Sequence, residues 1–89
     1  MRSISEVWER IRAHQNQQFR LKQGKKFAYT VDGNMLTLDC FPDYPVHAGQ
    51  FEKALARVPL AGPNGINDLR GPSYVWAILH DARVRRNDW

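Results

Sequence analysis

The chain has 89 residues, 43% of them hydrophobic and 25% charged, with thirteen Lys and Arg against nine Asp and Glu for a formal net charge of +4. A chain of this length makes one domain that buries only about 60 to 65% of its unfolded surface, so every large apolar side chain counts toward a single core. The lone Cys40 excludes an intramolecular disulfide, and the polar first twenty residues, with a longest apolar run of only Tyr74 to Leu79, predict neither export nor a membrane span. A reducing, cytoplasmic setting is expected.

The first element is a helix. Ser3-Ile4-Ser5-Glu6 has the form of a capping box, with the Ser3 side chain bonding forward and Glu6 reaching back. Ile4, Val7, Trp8 and Ile11 then recur at helical spacing. The stripe weakens at Gln15 and Gln18, resumes at Phe19, and meets a stop signal at Gly24. The spacing predicts a helix over residues 4–22, nearly 30 Å long, whose second half projects beyond whatever it packs on.

A β-hairpin follows over residues 26–41. Asp32-Gly33-Asn34 tolerates the positive φ of a tight turn. With Asp32-Gly33 as the loop, Val31 faces Asn34 and Tyr29 faces Leu36; with Gly33-Asn34 as the loop, Val31 faces Leu36 and Tyr29 faces Leu38. Either register gathers Phe27, Tyr29, Val31, Leu36, Leu38 and Cys40 on one face, because side chains alternate with a period of two. Cys40 is thereby expected to be a small core residue rather than a reactive thiol. Two strands alone are marginal in water, so helices or further strands must cover this face. Pro42-Asp43-Tyr44-Pro45, with two prolines in four residues, is expected to end the second strand and open a loop.

A second helix is predicted over residues 48–58, turning Phe51, Ala54, Leu55 and Val58 inward and stopping at Pro59. Lys53 and Arg57 share its outer face, a like-charge pair that fits an anionic contact but is more simply a solvated face. Residues 59–71 carry Pro59, Gly62-Pro63, Gly65 and Gly71, too many breakers for a long regular element, with one helical turn from Asn64 that points Ile66 and Leu69 inward. Pro72 suits the first turn of a third helix, over residues 72–82, whose Tyr74 to Leu79 run marks it as central and buried. Residues 83–89 form a basic tail that could be a helix end or a short strand. The reading is a single α+β domain of order α-β-β-α-α, with Trp8, Ile11, Phe27, Tyr29, Leu36, Leu38, Phe51, Leu55, Leu69, Val75, Ile78 and Leu79 in its core.

No reaction centre emerges from the side chains. His14, His47 and His80 lie on three different elements with no second cysteine, which does not make a zinc set. Cys40, His47 and Asp39 could be drawn as nucleophile, base and orienter, but the buried position expected for Cys40 opposes it. His80 and Asp81, adjacent on a helix, point about 100° apart and read as a helix end. Gly24-Lys25-Lys26 lacks the other residues of a phosphate loop. No cofactor is implied, and a non-enzymatic protein is expected.

Charge gives the functional expectation. Residues 1–26 hold seven basic and two acidic groups, residues 27–50 three acidic and no basic ones, and residues 51–89 six basic and four acidic. A basic domain of pI near 9.6 passes the first test for nucleic-acid contact. A helix-turn-helix built on Ile66 to Arg70 and the helix from Ser73 and Tyr74 is disfavoured, since a recognition helix must expose polar side chains and this one is apolar until His80. The better version is a tail of Arg83, Arg85, Arg86 and Trp89 that grips phosphate and stacks a base, helped by Lys25 and Lys26 or by Arg20 and Lys22. Its bland counterpart is a set of arginines complementing a helix dipole. The alternative function is a protein-interaction module or homodimer, which the projecting helix, an open sheet edge and Trp89 would supply with surface.

Overall fold

A computed structural model of the chain describes residues 3–89. Helix α1 runs Ile4–Ala13, with the Ser3 side chain accepting from the Glu6 amide as the capping box requires. It buries Val7, Trp8 and Ile11. It does not continue to residue 22. His14 closes it, Asn16 takes a positive φ of 66°, and the chain turns back on itself. The physical reason lies in the polar residues that weakened the stripe. Gln15 Oε1 accepts from the Val31 amide at 3.0 Å, and the Asn16 amide donates to the Tyr29 carbonyl at 2.7 Å. The segment thus closes a sheet edge, and asparagine is among the residues that adopt the left-handed conformation readily.

The hairpin expected over residues 26–41 becomes two small antiparallel sheets. Strands β1 (Phe19–Arg20) and β2 (Lys26–Phe27) pair with each other, Phe19 opposite Phe27 and Arg20 opposite Lys26. Strands β3 (Tyr29–Asp32), β4 (Met35–Leu38) and β5 (Phe41–His47) make a second sheet with β4 in the middle. Gly33-Asn34 is the loop, so Val31 faces Leu36 and Tyr29 faces Leu38, and Gly33 carries the positive φ of 60°. Phe27, Tyr29, Leu36 and Leu38 are buried as the alternation required. Cys40 is not: it sits exposed in the turn between β4 and β5.

Strand β5 corrects the expected loop after Phe41. Pro42 and Pro45 are accommodated because β5 lies at the edge of its sheet, and its register against β4 slips between Leu36 and Leu38. Helix α2 (Ala48–Leu55) is shorter than residues 48–58 and is capped by His47, whose Nδ1 accepts from the Gly49 amide at 2.9 Å. Pro63–Ile66 forms a 3-10 turn that starts at Gly62 rather than Asn64 and buries Ile66, with Leu69 buried just after it. Helix α3 (Pro72–Leu79) stops three residues short of 82. Asp81 then caps a separate turn, α4 (Ala82–Arg85), through a hydrogen bond to the Arg83 amide.

All twelve residues expected in the core are buried, together with Val7, Phe19, Leu21, Val46, Ala54, Val58, Ile66, Ala77 and Val84. Helices α1, α2 and α3 pack on one another in series, α1 against β3 and α2 against β5, while α3 also meets β1 and the 3-10 turn. The result is one compact α+β domain with more strands than a single hairpin supplies. Among the described residues no helix is long and apolar enough to cross a membrane.

Tyr29 joins the parts. Its hydroxyl donates to the Ile11 carbonyl at 2.6 Å, its own carbonyl accepts from Asn16, and its ring lies 5.1 Å from that of Phe19. Burial pushes its hydroxyl well above the ordinary tyrosine range, so it acts as a neutral donor. Tyr29→Phe keeps the ring and removes that one bond; equilibrium denaturation should report a loss of about 1 kcal/mol with an unchanged m-value.

Candidate nucleic-acid interface

There is no Asp or Glu between Glu9 and Asp32, and the strand pair β1–β2 is built from the middle of that stretch. Phe19 and Phe27 face inward as a cross-strand pair with ring centroids 6.0 Å apart, and Leu21 is buried behind them. This apolar side anchors the arm. Its tip closes through Leu21 N to Lys25 O and Gly24 N to Leu21 O, both 2.8 Å, with Gly24 at a φ of 100° that other residues adopt at a cost.

The outward side carries the charge. Arg20 stands directly opposite Lys26, a like-charge pair that weakens a two-residue ladder. Arg20, Lys22, Lys25 and Lys26 are all exposed. Lys22 Nζ donates to the Ala61 carbonyl at 3.0 Å and lies 6.0 Å from the centre of the Trp76 ring. Arg20, Lys25 and Lys26 pair with no carboxylate among the described residues, whereas Arg10, Arg12, Arg57 and Arg83 pair with Asp88, Glu9, Asp68 and Asp81. Arg57 is thus answered within the fold.

The C-terminal residues occupy a different position from a free tail. Arg83 is bound to Asp81, donates to Gln17 Oε1 and the Gln18 carbonyl, and stacks 3.9 Å from the centre of the Phe19 ring. Arg85 Nε donates to the Trp89 carbonyl, and the Trp89 indole donates to the Leu79 carbonyl at 2.9 Å. Arg86 Nε reaches the Arg83 carbonyl at 3.2 Å and the residue is exposed. The left-handed Arg86 and Asn87 reverse the chain to make this possible. Of the eight residues singled out in the sequence, the four on the arm and Arg86 are open to solvent, while Arg83, Arg85 and Trp89 are engaged internally. Arg83 still lines, with Gln18, Arg20 and Trp76, a cleft of about 290 Å3 beside the arm.

Two features escaped the sequence. The first is the pair Trp76 and His80, stacked at 5.0 Å and 15°. His80 Nε2 accepts from the Leu60 amide, so Nδ1 carries the proton donated to the Trp76 carbonyl, and the Trp76 indole donates to the Leu60 carbonyl. The i, i+4 spacing was available, but Leu60 lies in the loop whose path the sequence did not define. The second is an aromatic groove of about 200 Å3 lined by Leu38, Phe41, Tyr44, Gly71 and Tyr74. Cys40 Sγ lies 3.5 Å from the Tyr74 hydroxyl, and burial together with that contact pushes Tyr74 up to about 12. Asp39 accepts from the Ala28 amide and His47 caps α2, while Cys40 is exposed, so the burial expected to oppose a Cys40 nucleophile is not found. No group of three His, Cys, Asp or Glu gathers around a metal-sized space among the described residues. Compared with known families, curated proteins and solved structures, the chain matches none.

Burial lowers the His80 pKa, opposed by the Trp76 carbonyl and helped by Arg85 nearby. The unfolded chain takes up this proton near 6.5 and the folded chain only at lower pH. Stability is therefore complete above that value and declines as the pH falls below it. Denaturation midpoints measured from about pH 7 down to about pH 5 should fall in the wild type and fall less in His80→Gln.

Proposed function

We propose that this is a non-enzymatic binding protein whose ligand is nucleic acid, held through the β1–β2 arm rather than through a mobile C-terminal tail. The observation that carries the reading is the juxtaposition of Arg20 and Lys26 on a ladder only two residues long, with Lys22 and Lys25 at its tip. Folding does not need those charges on one side of so small an element, because like charges directly opposite destabilise the pairing. A polyanion converts the repulsion into binding free energy, since each neutralised phosphate releases condensed counterions. The neighbouring Trp76 and the Arg83 cleft give the arm an aromatic and hydrogen-bonding border, which a bare cationic patch kept for solubility does not require. Arg86 extends the positive surface, and Arg83 contributes by fixing Phe19, hence the arm.

Arg20, Lys25 and Lys26 changed together to Gln remove three exposed charges and no internal partner. A labelled oligonucleotide of about 20 nucleotides should bind the variant at least tenfold more weakly at low salt. The slope of log K against log salt should be shallower by about 2 to 3. The melting temperature of the variant should equal or exceed that of the wild type, because the Arg20–Lys26 repulsion is gone. Equal affinity and an unchanged salt slope would end the proposal.

A further inference from the structure

The aromatic groove on the other flank of α3 has no role in the core. Phe41 and Tyr44 are its walls, and at 49% and 42% exposure they are, among the described residues, the large hydrophobic side chains left open to solvent. Scattered exposed apolar residues need no explanation, but two aromatic rings facing one apolar groove do. Tyr74, in the groove lining, meets Phe41 edge to face at 5.9 Å and the buried Phe27 edge to face at 5.0 Å, so one ring contact joins the groove to β2.

Its rim carries a prepared cation. Arg70 lies 3.7 Å over the centre of the Tyr44 ring, and its Nε donates to the Pro45 carbonyl at 2.8 Å. Its backbone amide is held by Gln50 Oε1. Stacking and that one bond orient the guanidinium while its two terminal nitrogens have no partner among the described residues. A planar fork held in this way matches the oxygens of a phosphate. Aromatic walls below and a phosphate-matching fork at the edge are the two halves of a nucleotide: a ring to stack and an anion to pair.

We propose that this groove seats an unpaired base of a single-stranded nucleic acid, with the adjoining phosphate on Arg70 and the strand continuing past Tyr74 onto the arm. The inference rests on the nucleic-acid reading of the arm and narrows it to strands whose bases are free, because a base inside a duplex cannot offer its face to Phe41 and Tyr44. Two carboxylates oppose such a strand: Asp39, which accepts from the Ala28 amide and whose charge acts on the Tyr74 hydroxyl, and Asp43, exposed on β5 beside Tyr44. That opposition gives the test a sign.

Fluorescence anisotropy with labelled oligo-dT of about 12 nucleotides and with a duplex of the same length separates the possibilities. The wild type should bind oligo-dT at least tenfold more tightly than duplex. Phe41→Leu combined with Tyr44→Leu keeps the groove apolar but removes both rings and the stack that orients Arg70; it should erase that advantage, make the oligo-dT salt slope shallower by about one at most, and leave the duplex affinity in place. Asp43→Asn should tighten oligo-dT binding. Titrating the wild type with oligo-dT should also shift the ring proton resonances of Phe41, Tyr44 and Tyr74, a readout independent of whether a variant folds.

Equal affinity for the two probes, wild-type behaviour of the Leu variant, or unmoved ring resonances would overturn the groove assignment. If the arm variant still loses affinity in that case, the nucleic-acid reading of the arm survives; if it does not, both fall together. Weaker oligo-dT binding by Asp43→Asn would also overturn the groove assignment, since removing a carboxylate beside a bound polyanion must favour the complex. A mass twice that of the chain by light scattering, restored to the monomer by the Leu variant, would assign the groove to a second copy. Either result excludes the proposal.

Discussion

The edge of β3 is the constraint on which the rest of the architecture depends. A strand at the border of a three-stranded sheet presents backbone groups that must find partners if they are shielded from water. Here Gln15 and Asn16 supply them from the turn that ends α1, and the Tyr29 hydroxyl ties the last turn of the helix to the same strand. Because the chain must reverse at this point, Phe19 is delivered to Phe27 instead of to a fourth helical turn, and the β1–β2 arm exists. The position of the cationic surface is therefore a consequence of where α1 stops.

The same point explains what could be read from the sequence and what could not. Alternation about Gly33 placed Tyr29, Leu36 and Leu38 inside in either register, since parity survives a shift of the loop by one residue. The apolar spacing of α1 and α2 likewise named their buried faces, whereas α3, apolar from Tyr74 to Leu79, offered no such distinction, and Tyr74 and Trp76 are only partly buried. What failed was the meaning of polar residues at helical spacing. Gln15 and Gln18 read as a solvated continuation of a long helix, yet Gln15 is spent on a strand edge 16 residues away. Periodicity reports side-chain partition between water and core and is silent on which backbone group a glutamine will satisfy. Pro42 and Pro45 misled for a related reason: they forbid a central strand, but at a sheet edge a missing amide costs little. Cys40 followed the parity of β4 only until the chain turned at Asp39 and Cys40, and there it was released to solvent.

The candidate site was legible in composition and illegible in geometry. The acid-free stretch from Arg10 to Val31 is plain in the sequence, and it contains Arg20, Lys22, Lys25 and Lys26. The tail arginines were equally conspicuous, but charge density along the chain does not distinguish a cation facing water from one spent on the fold. Asp81 decides the matter for Arg83: by capping α4 it holds its carboxylate where the guanidinium can pair with it, cover Phe19 and reach Gln17 and Gln18 at once. A helix running through to residue 82 would have left Arg83 free. Arg70 shows the opposite case, an isolated cation with no sequence context to recommend it, positioned by a tyrosine and a carbonyl contributed by an edge strand.

Both surfaces depend on α3. Its buried residues Val75, Ala77, Ile78 and Leu79 fix the helix in the core, so the residues left at its margins, Tyr74 and Trp76, are held without freedom to adjust. Tyr74 borders the aromatic groove and touches Phe27 of the arm; Trp76 borders the cleft that Arg20 and Arg83 share. A ligand contacting either side meets rings already ordered by the fold, so little side-chain entropy remains to be lost when it binds. The arm lies between these two margins, its apolar side on the core and its cations outward. On the reading proposed above, a flexible polyanion would lay its backbone along the cationic ridge and turn its flat groups toward rings beside it, whereas a rigid duplex keeps the faces of its bases stacked. The rigidity of one buried helix, rather than any property of the charges themselves, is what would convert a generic attraction for anions into a preference among them.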